Sequence, residues 1–74
     1  MKIYIITITT STDNVVDFET FEDRKTAKTT FRHYFTDCIK GSDVKSANYT
    51  DDNYKVVYSN GNWINMHLFE EEMD

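Results

Sequence analysis

Apolar residues recur with a helical period in residues 23–40. At 100° per residue, one continuous side of this segment is apolar. That side consists of Ala27, Phe31, Tyr34, Phe35, Cys38 and Ile39. Asp23 is a good N-cap, because its carboxylate can accept hydrogen bonds from the free backbone N–H groups of the first turn. Gly41 stands where a left-handed residue would end a helix. The pattern therefore predicts one amphipathic helix.

Other segments alternate between apolar and polar residues or are rich in β-branched residues, and both patterns predict strands. These segments are residues 2–10, 15–21, 44–50, 54–59 and 62–69. The first has apolar residues on both faces, which is typical of a central strand covered on two sides. The predicted fold class is α+β: an antiparallel sheet of four to five strands, in the order ββαβββ, with one helix packed on one face.

The dipeptide Asn60-Gly61 predicts a tight hairpin between the last two strands, because both central positions of a type I′ turn require positive φ. A two-residue loop would pair Tyr58 with Trp63 and would fix which side chains share a face. One face would then carry the aromatic residues and their neighbours: Tyr54, Val56, Tyr58, Trp63, His67 and Phe69. The other face would lie under the helix with residues of the second strand: Val57, Ile64, Met66, Leu68, Val16 and Phe18.

The chain has 74 residues and a single cysteine, Cys38. This length predicts one small domain, residues 1–74, in which residues 70–74 form a flexible acidic tail. Cys38 cannot form an internal disulfide, and small secreted domains are usually rich in disulfides, so we expect a cytoplasmic protein. The apolar run at residues 3–8 is too short for a signal peptide or a membrane span.

Charge is distributed unevenly along the chain, whose net charge is −5. Residues 24–40 hold five basic side chains and one acidic side chain, a net charge of +4. The remainder holds three lysines and twelve acidic residues, a net charge of −9. Acidity of this kind disfavours non-specific nucleic-acid binding and favours basic or nucleic-acid-binding protein partners.

No motif predicts catalysis. The sequence has no Gly-x-Ser-x-Gly elbow, no glycine-rich phosphate loop and no cysteine and histidine spacing typical of zinc. We expect His33 on the solvated side of the helix, His67 among aromatic residues, and Cys38 as a small buried hydrophobe. The sequence therefore predicts neither an enzyme nor a cofactor.

Acidic residues together with uncovered aromatic residues favour a protein that acts by binding. The first hypothesis is an inhibitor or regulator of a basic or nucleic-acid-binding protein. Its candidate contact residues are Asp17, Glu19, Asp51, Asp52, Tyr54, Tyr58, Trp63 and Phe69. Strand alternation places Asp17 and Glu19 about 7 Å apart on one face. Because this separation is comparable with that of successive phosphates along one strand, nucleic-acid mimicry is one route to inhibition.

Small acidic binding proteins of this general type include phage-encoded inhibitors of host defence nucleases, such as anti-CRISPR and anti-restriction proteins. The analogy lies in size and composition, since no residue pattern here identifies such a family. The alternative hypothesis is a nucleic-acid-binding regulator that uses the basic side of the helix, at Lys25, Lys28, Arg32 and Lys40. A further prediction is a homodimer through the aromatic face of the sheet, a face that could equally serve a partner.

Overall fold

The computed structural model describes residues 1–41 and 43–73, and within this range the side chains of residues 13–16 are not described. One antiparallel sheet and one helix make up the fold, which confirms the predicted α+β class and the ββαβββ order. The elements are β1 Lys2–Thr10, β2 Asp13–Phe21, α1 Arg24–Ile39, β3 Val44–Tyr49, β4 Asn53–Tyr58 and β5 Trp63–Glu72. The strands lie side by side in the order β2-β1-β5-β4-β3, so β1 and β5 are interior and β2 and β3 are edges.

Asp23 caps the N-terminus of α1, as the sequence predicts. Its carboxylate accepts hydrogen bonds from the backbone N–H of Thr26 at 2.9 Å and from the Thr26 hydroxyl at 2.7 Å. These bonds, the hydroxyl bond first, hold the pKa of Asp23 below its usual value. The expected left-handed end at Gly41 is wrong, because Gly61 is the glycine with positive φ among the described residues. Instead, the Lys40 N–H donates to the carbonyl of Asp37 at 3.4 Å, which tightens the last turn.

The core lies between α1 and the middle of the sheet. Its buried residues come from the helix, from β1 and from the last two strands: Ile6, Ala27, Phe31, Tyr54, Val56, Met66 and Leu68. Tyr54 lies at its centre, with ring centroids 4.9 Å from Phe31 and 5.0 Å from Phe35. Aromatic pairs at such separations add to the stabilisation that comes from area burial alone.

The hairpin between β4 and β5 has a three-residue loop in place of the predicted two-residue type I′ turn. The Gly61 N–H donates to the carbonyl of Tyr58 at 3.0 Å, and the Tyr58 N–H donates to the carbonyl of Asn62 at 2.8 Å. Gly61 alone among the described residues has positive φ, at 90°, whereas a type I′ turn needs two such residues. This is a type I turn followed by a bulge at Gly61, and it shifts the pairing by one residue.

The shift moves the side chains of β4 to the opposite face from the predicted one. Val57 pairs with Trp63 and Val56 pairs with Ile64, so Val56 lies under the helix and Val57 lies on the far side. The prediction that Tyr54, Val56 and Tyr58 lie on the uncovered face is therefore wrong. The predictions for β5 hold: one face carries Ile64, Met66 and Leu68, and the other carries Trp63, His67 and Phe69.

Phe18 also lies on the opposite face from the predicted one. It pairs with Thr7, whereas Glu19 pairs with the core residue Ile6 and Asp17 with Ile8, so Asp17 and Glu19 are on the helix side. At this edge of the sheet the helix side is exposed, and Glu19 accepts a hydrogen bond there from Tyr34. The predicted position of Val16 under the helix lies outside the described side chains.

The predicted flexible tail is wrong for residues 70–72. Glu70, Glu71 and Glu72 continue β5 and pair with the start of β1, where Lys2 lies opposite Glu72. Backbone pairing here is reinforced by the Lys2 ammonium, 3.7 Å from the Glu70 carboxylate. The tail prediction for residue 74 lies outside the described residues.

The helix of the described residues is 16 residues long, and it is neither long enough nor apolar enough to cross a membrane.

Replacing Gly61 by alanine should destabilise the protein, because an alanine at φ +90° is strained even though nothing lies within 4 Å of the new Cβ. We expect a loss of about 1–2 kcal/mol in the free energy of unfolding, measured by urea denaturation. Gly41→Ala is the matched control, since its Cβ also meets nothing within 4 Å and its φ is ordinary. Equal losses in the two variants would contradict the proposed role of the Gly61 turn.

Candidate functional site

The face of the sheet away from α1 is only partly buried, and we call it the open face. Its apolar residues are Ile3, Ile5, Phe18, Val57, Trp63 and Phe69. Uncharged polar residues lie among them: Thr7, Thr9, Thr20, Asn53 and Asn65. Phe18 is 67% exposed and Phe69 is 41% exposed. Several exposed apolar side chains on one face mark an interaction surface more often than singly scattered ones do.

Two aromatic contacts order the open face. The rings of His67 and Phe69 stack with centroids 4.2 Å apart and planes within 7° of parallel. The Lys55 ammonium lies 5.0 Å from the centre of the Trp63 ring, within the range of a cation–π contact. Each contact restricts the rings that it joins, and restriction of this kind lowers the entropy lost on binding.

One end of the sheet is strongly acidic, and we call it the acidic end. It contains the turn between β3 and β4 and the last residues of β5: Asp51, Asp52, Glu70, Glu71 and Glu72. The two segments are adjacent, because the Leu68 N–H donates to the carbonyl of Asp52 at 2.8 Å. Glu70 is paired with Lys2, and Glu72 lies 3.4 Å from the N-terminal ammonium. Among the described residues, Asp51, Asp52 and Glu71 form no ion pair.

A cleft of about 510 Å³ lies at the acidic end, between the sheet and the first turns of α1. It is lined by Tyr4, Arg24, Lys28, Thr50, Asp51, Asp52, Leu68, Phe69 and Glu70. Its volume falls within the range of ligand-sized clefts. The helix wall contributes two cations and the sheet wall contributes three carboxylates, so the cleft suits a charged group better than an apolar one.

The structure divides the predicted contact residues into separate groups. Asp17 and Glu19 lie on edge strand β2, whereas Asp51 and Asp52 lie beside β4. Three strand spacings separate β2 from β4, which is about 14 Å at ~4.8 Å per strand. Trp63 and Phe69 lie on the open face. The predicted residues therefore do not form one site, although Asp51 and Asp52 belong to the acidic end.

Tyr54 is buried in the core and Tyr58 is half-buried against it on the helix side, so neither lies on the uncovered face from which its contact role was predicted. The Tyr54 hydroxyl donates to the sulfur of Met66, and the Tyr58 hydroxyl donates to the carbonyl of Cys38 at 3.1 Å. Burial raises the pKa of Tyr54 well above its ordinary value. Burial also raises the pKa of the Cys38 thiol, as expected for a cysteine that packs as a hydrophobe.

The acidic residues of β2 include one that is engaged within the chain. The Tyr34 hydroxyl donates to the Glu19 carboxylate at 2.5 Å, and this bond raises the pKa of Tyr34. Asp17 is exposed and forms no ion pair within the described part of the chain. The two carboxylates predicted to mimic phosphates therefore differ in availability, because Glu19 already accepts a hydrogen bond and Asp17 forms no ion pair among the described residues.

The basic residues of α1 are mostly exposed. Lys25, Arg32 and Lys40 lie on its surface, while Lys28 is half-buried beside the cleft. Within the described residues, none of these cations lies in an ion pair. Asp37, the acidic residue of α1, lies 3.5 Å from His33 instead. His33 is exposed, as predicted. No group of three His, Cys, Asp or Glu residues suited to a metal ion occurs in the described part of the chain.

Several surface residues were not predicted as contact residues. Phe18 and Val57 lie on the open face because of the actual strand pairing, and Ile3 and Ile5 extend the patch on β1. The signal for the last two was present in the sequence, since β1 is apolar on both faces and one helix can cover only one of them. The sequence shows that Glu70 to Glu72 are acidic, but it does not predict that they pair with β1.

Comparison with protein-family models, with curated proteins and with solved structures finds no match to this chain.

Proposed function

We propose that this protein acts without catalysis, by binding a basic protein through the acidic end. The observation that carries the proposal is the group of carboxylates at that end, which the fold assembles from two segments distant in sequence. Asp51 and Asp52 form no ion pair among the described residues, so their charge is available to a partner. Complementary charge accelerates association and excludes acidic competitors.

The cleft between α1 and the sheet supports the proposal, because it gives the acidic end a concave shape. A basic side chain of the partner can approach the carboxylates of Asp51 and Asp52, while Arg24 and Lys28 on the helix wall orient a neighbouring acidic or polar group. Such a mixed site selects a particular arrangement of charges rather than any basic protein.

Inhibition of a nucleic-acid-binding effector is the specific form of binding that we favour. A nuclease presents basic grooves for the phosphate backbone, and an acidic protein that occupies such a groove blocks its substrate. Phage proteins that act against host defence, including anti-CRISPR and anti-restriction proteins, are the kind of inhibitor we have in mind. Asp51 and Asp52 form no ion pair among the described residues, so their carboxylates can take the place of phosphates in such a groove.

We also propose that the chain forms a homodimer through the open face. Phe18 and Phe69 are exposed there beside half-buried Ile5, Val57 and Trp63. A domain of 74 residues has little stability to spare, and burial of this patch would add to it. Self-association would leave Asp51 and Asp52, in the turn at the edge of the sheet, accessible to the partner.

The acidic end is tested by comparing two charge reversals. Asp51→Lys and Asp17→Lys change the net charge equally, but only Asp51 belongs to the acidic end. We expect Asp51→Lys to weaken partner binding by about tenfold or more and Asp17→Lys to weaken it by less than about threefold. The partner is captured from host cells with the immobilised wild-type protein and identified, and its affinity for each variant is then measured by calorimetry.

Wild-type affinity should also fall as salt is raised, because exposed charges are screened over about 8 Å at physiological ionic strength. An affinity that stays constant from low to high salt would contradict the proposal. Equal weakening by the two reversals would show that bulk charge, and not the acidic end, is responsible.

A second candidate function is nucleic-acid binding by the exposed basic residues of α1, which form no ion pair within the described residues. In this case Lys25→Glu and Arg32→Glu should abolish the retardation of mixed DNA and RNA fragments in gels at low salt. Failure of the wild-type protein to retard either nucleic acid at micromolar concentration would end this alternative.

A further inference from the structure

We infer that the homodimer proposed above pairs two open faces about a two-fold axis that runs across the strands and passes between His67 and Phe69. The dimensions and the charges of the open face favour a second copy of this chain as the partner that covers it. The inference rests on the proposed homodimer and specifies its geometry.

The area of the open face fits a dimer interface. The sheet is five strands wide, which is about 24 Å at ~4.8 Å per strand, and its longest strand has 10 residues, about 33 Å. The other strands are shorter, and all five hold 40 residues together, so the face offers roughly 630 Å² per chain at ~3.3 Å per residue and ~4.8 Å per strand. Stable interfaces bury about 600–1,000 Å² per partner, and the open face lies at the lower end of this range.

Strand pairing arranges the open face in rows that run across the sheet. Asn65 lies in one row with Lys55 on β4, and Glu71 lies in another row with Ile3 on β1. The two rows are six residues apart along β5, which is about 20 Å. Their midpoint falls between His67 and Phe69, close to the middle of the face.

A two-fold axis at that midpoint, perpendicular to the strands, places the Glu71 row of one chain over the Asn65 row of the other. The carboxylate of Glu71 then meets the row of the partner that holds Lys55. By symmetry this pairing occurs twice in the dimer. Lys55 and Glu71 therefore complement each other across the interface, although they are separated within one chain.

The other simple arrangement has its axis parallel to β5. It places each Glu71 opposite the Glu71 of the other chain and leaves both Lys55 side chains without a carboxylate opposite. Like charges in such proximity are unfavourable, and the arrangement is disfavoured for that reason. Charge thus selects one orientation from two that bury the same apolar area.

The centre of the proposed interface contains the stacked rings of His67 and Phe69, with Ile5 beside Phe69 on β1. At the two-fold axis each stacked pair meets its copy. Large aromatic residues near the centre of an interface contribute most of the binding energy, while polar residues around them exclude water. Thr7, Thr9 and Thr20 provide uncharged polar groups on the same face.

Charge reversal and its rescue test this geometry by sedimentation equilibrium at low salt. We expect Lys55→Glu and Glu71→Lys each to weaken the dimer by about tenfold or more, because each brings like charges together twice. The double variant, Lys55→Glu with Glu71→Lys, restores opposite charges and should return the dissociation constant to within about threefold of the wild-type value. Lys25→Glu, on the helix surface, and Glu22→Lys, before the helix, are the matched controls and should leave dimerisation unchanged.

If the double variant weakens the dimer by as much as the two single changes combined, the proposed orientation is overturned and the homodimer stands. A dimer unaffected by either single change would overturn it as well. A wild-type chain that remains monomeric at high concentration would overturn both the homodimer and its geometry. Partner binding is measured separately with Asp51→Lys, so none of these results bears on the role of Asp51 and Asp52 in partner binding.

Discussion

The turn at Gly61 determines which side chains of β4 enter the core. In this turn Gly61 has positive φ and Asn60 does not, so the loop has three residues and Val56 pairs with Ile64. A slip of one residue in an antiparallel pair exchanges the faces of a strand. The actual pairing brings Tyr54 and Val56 under the helix, where both are almost fully buried. The aromatic cluster around Tyr54, and with it the packing of α1, depends on this single backbone conformation.

The same pairing leaves apolar side chains uncovered on the open face. One helix covers the middle of a five-stranded sheet, and the molecule is only 15 Å thick along its shortest axis. Stable domains usually bury each apolar surface between two layers. Here β1 presents Ile3 and Ile5 on the side without a helix, next to Phe69 of β5. Asp51 and Asp52 of the acidic end lie in the turn between β3 and β4, outside the open face, although Glu71 belongs to both surfaces. Self-association through the open face can therefore coexist with partner binding at Asp51 and Asp52.

The sequence predicts the features that depend on local chemistry. The amphipathic stripe, the Asp23 cap and the order of strands and helix follow from residue patterns within a few turns of the chain. The hairpin register does not, because Asn60-Gly61 suits both a type I′ turn and a type I turn with a bulge at the glycine. The choice between them is made by burial of Tyr54 and Val56 against a helix that lies elsewhere in the sequence.

Residues of the candidate surfaces were missed for the same reason. The faces of Phe18 and Val57 depend on pairing with distant strands. Glu70 to Glu72 have the composition of a disordered end, yet they pair with β1 and so acquire fixed positions. The sequence predicts that both segments of the acidic end are negatively charged. It does not predict that they are neighbours, because Asp51 and Glu70 come together only when β4 and β5 are in register.

The most direct test of this account compares two neighbouring valines of β4 in dilute solution. Val56 is fully buried and Val57 is half-buried on the open face. Val56→Ala should therefore lower the free energy of unfolding by about 2 kcal/mol, and Val57→Ala by less than about 1 kcal/mol, in urea denaturation. The opposite order would mean that Val57 faces the helix, and it would contradict both the register and the open face derived from it.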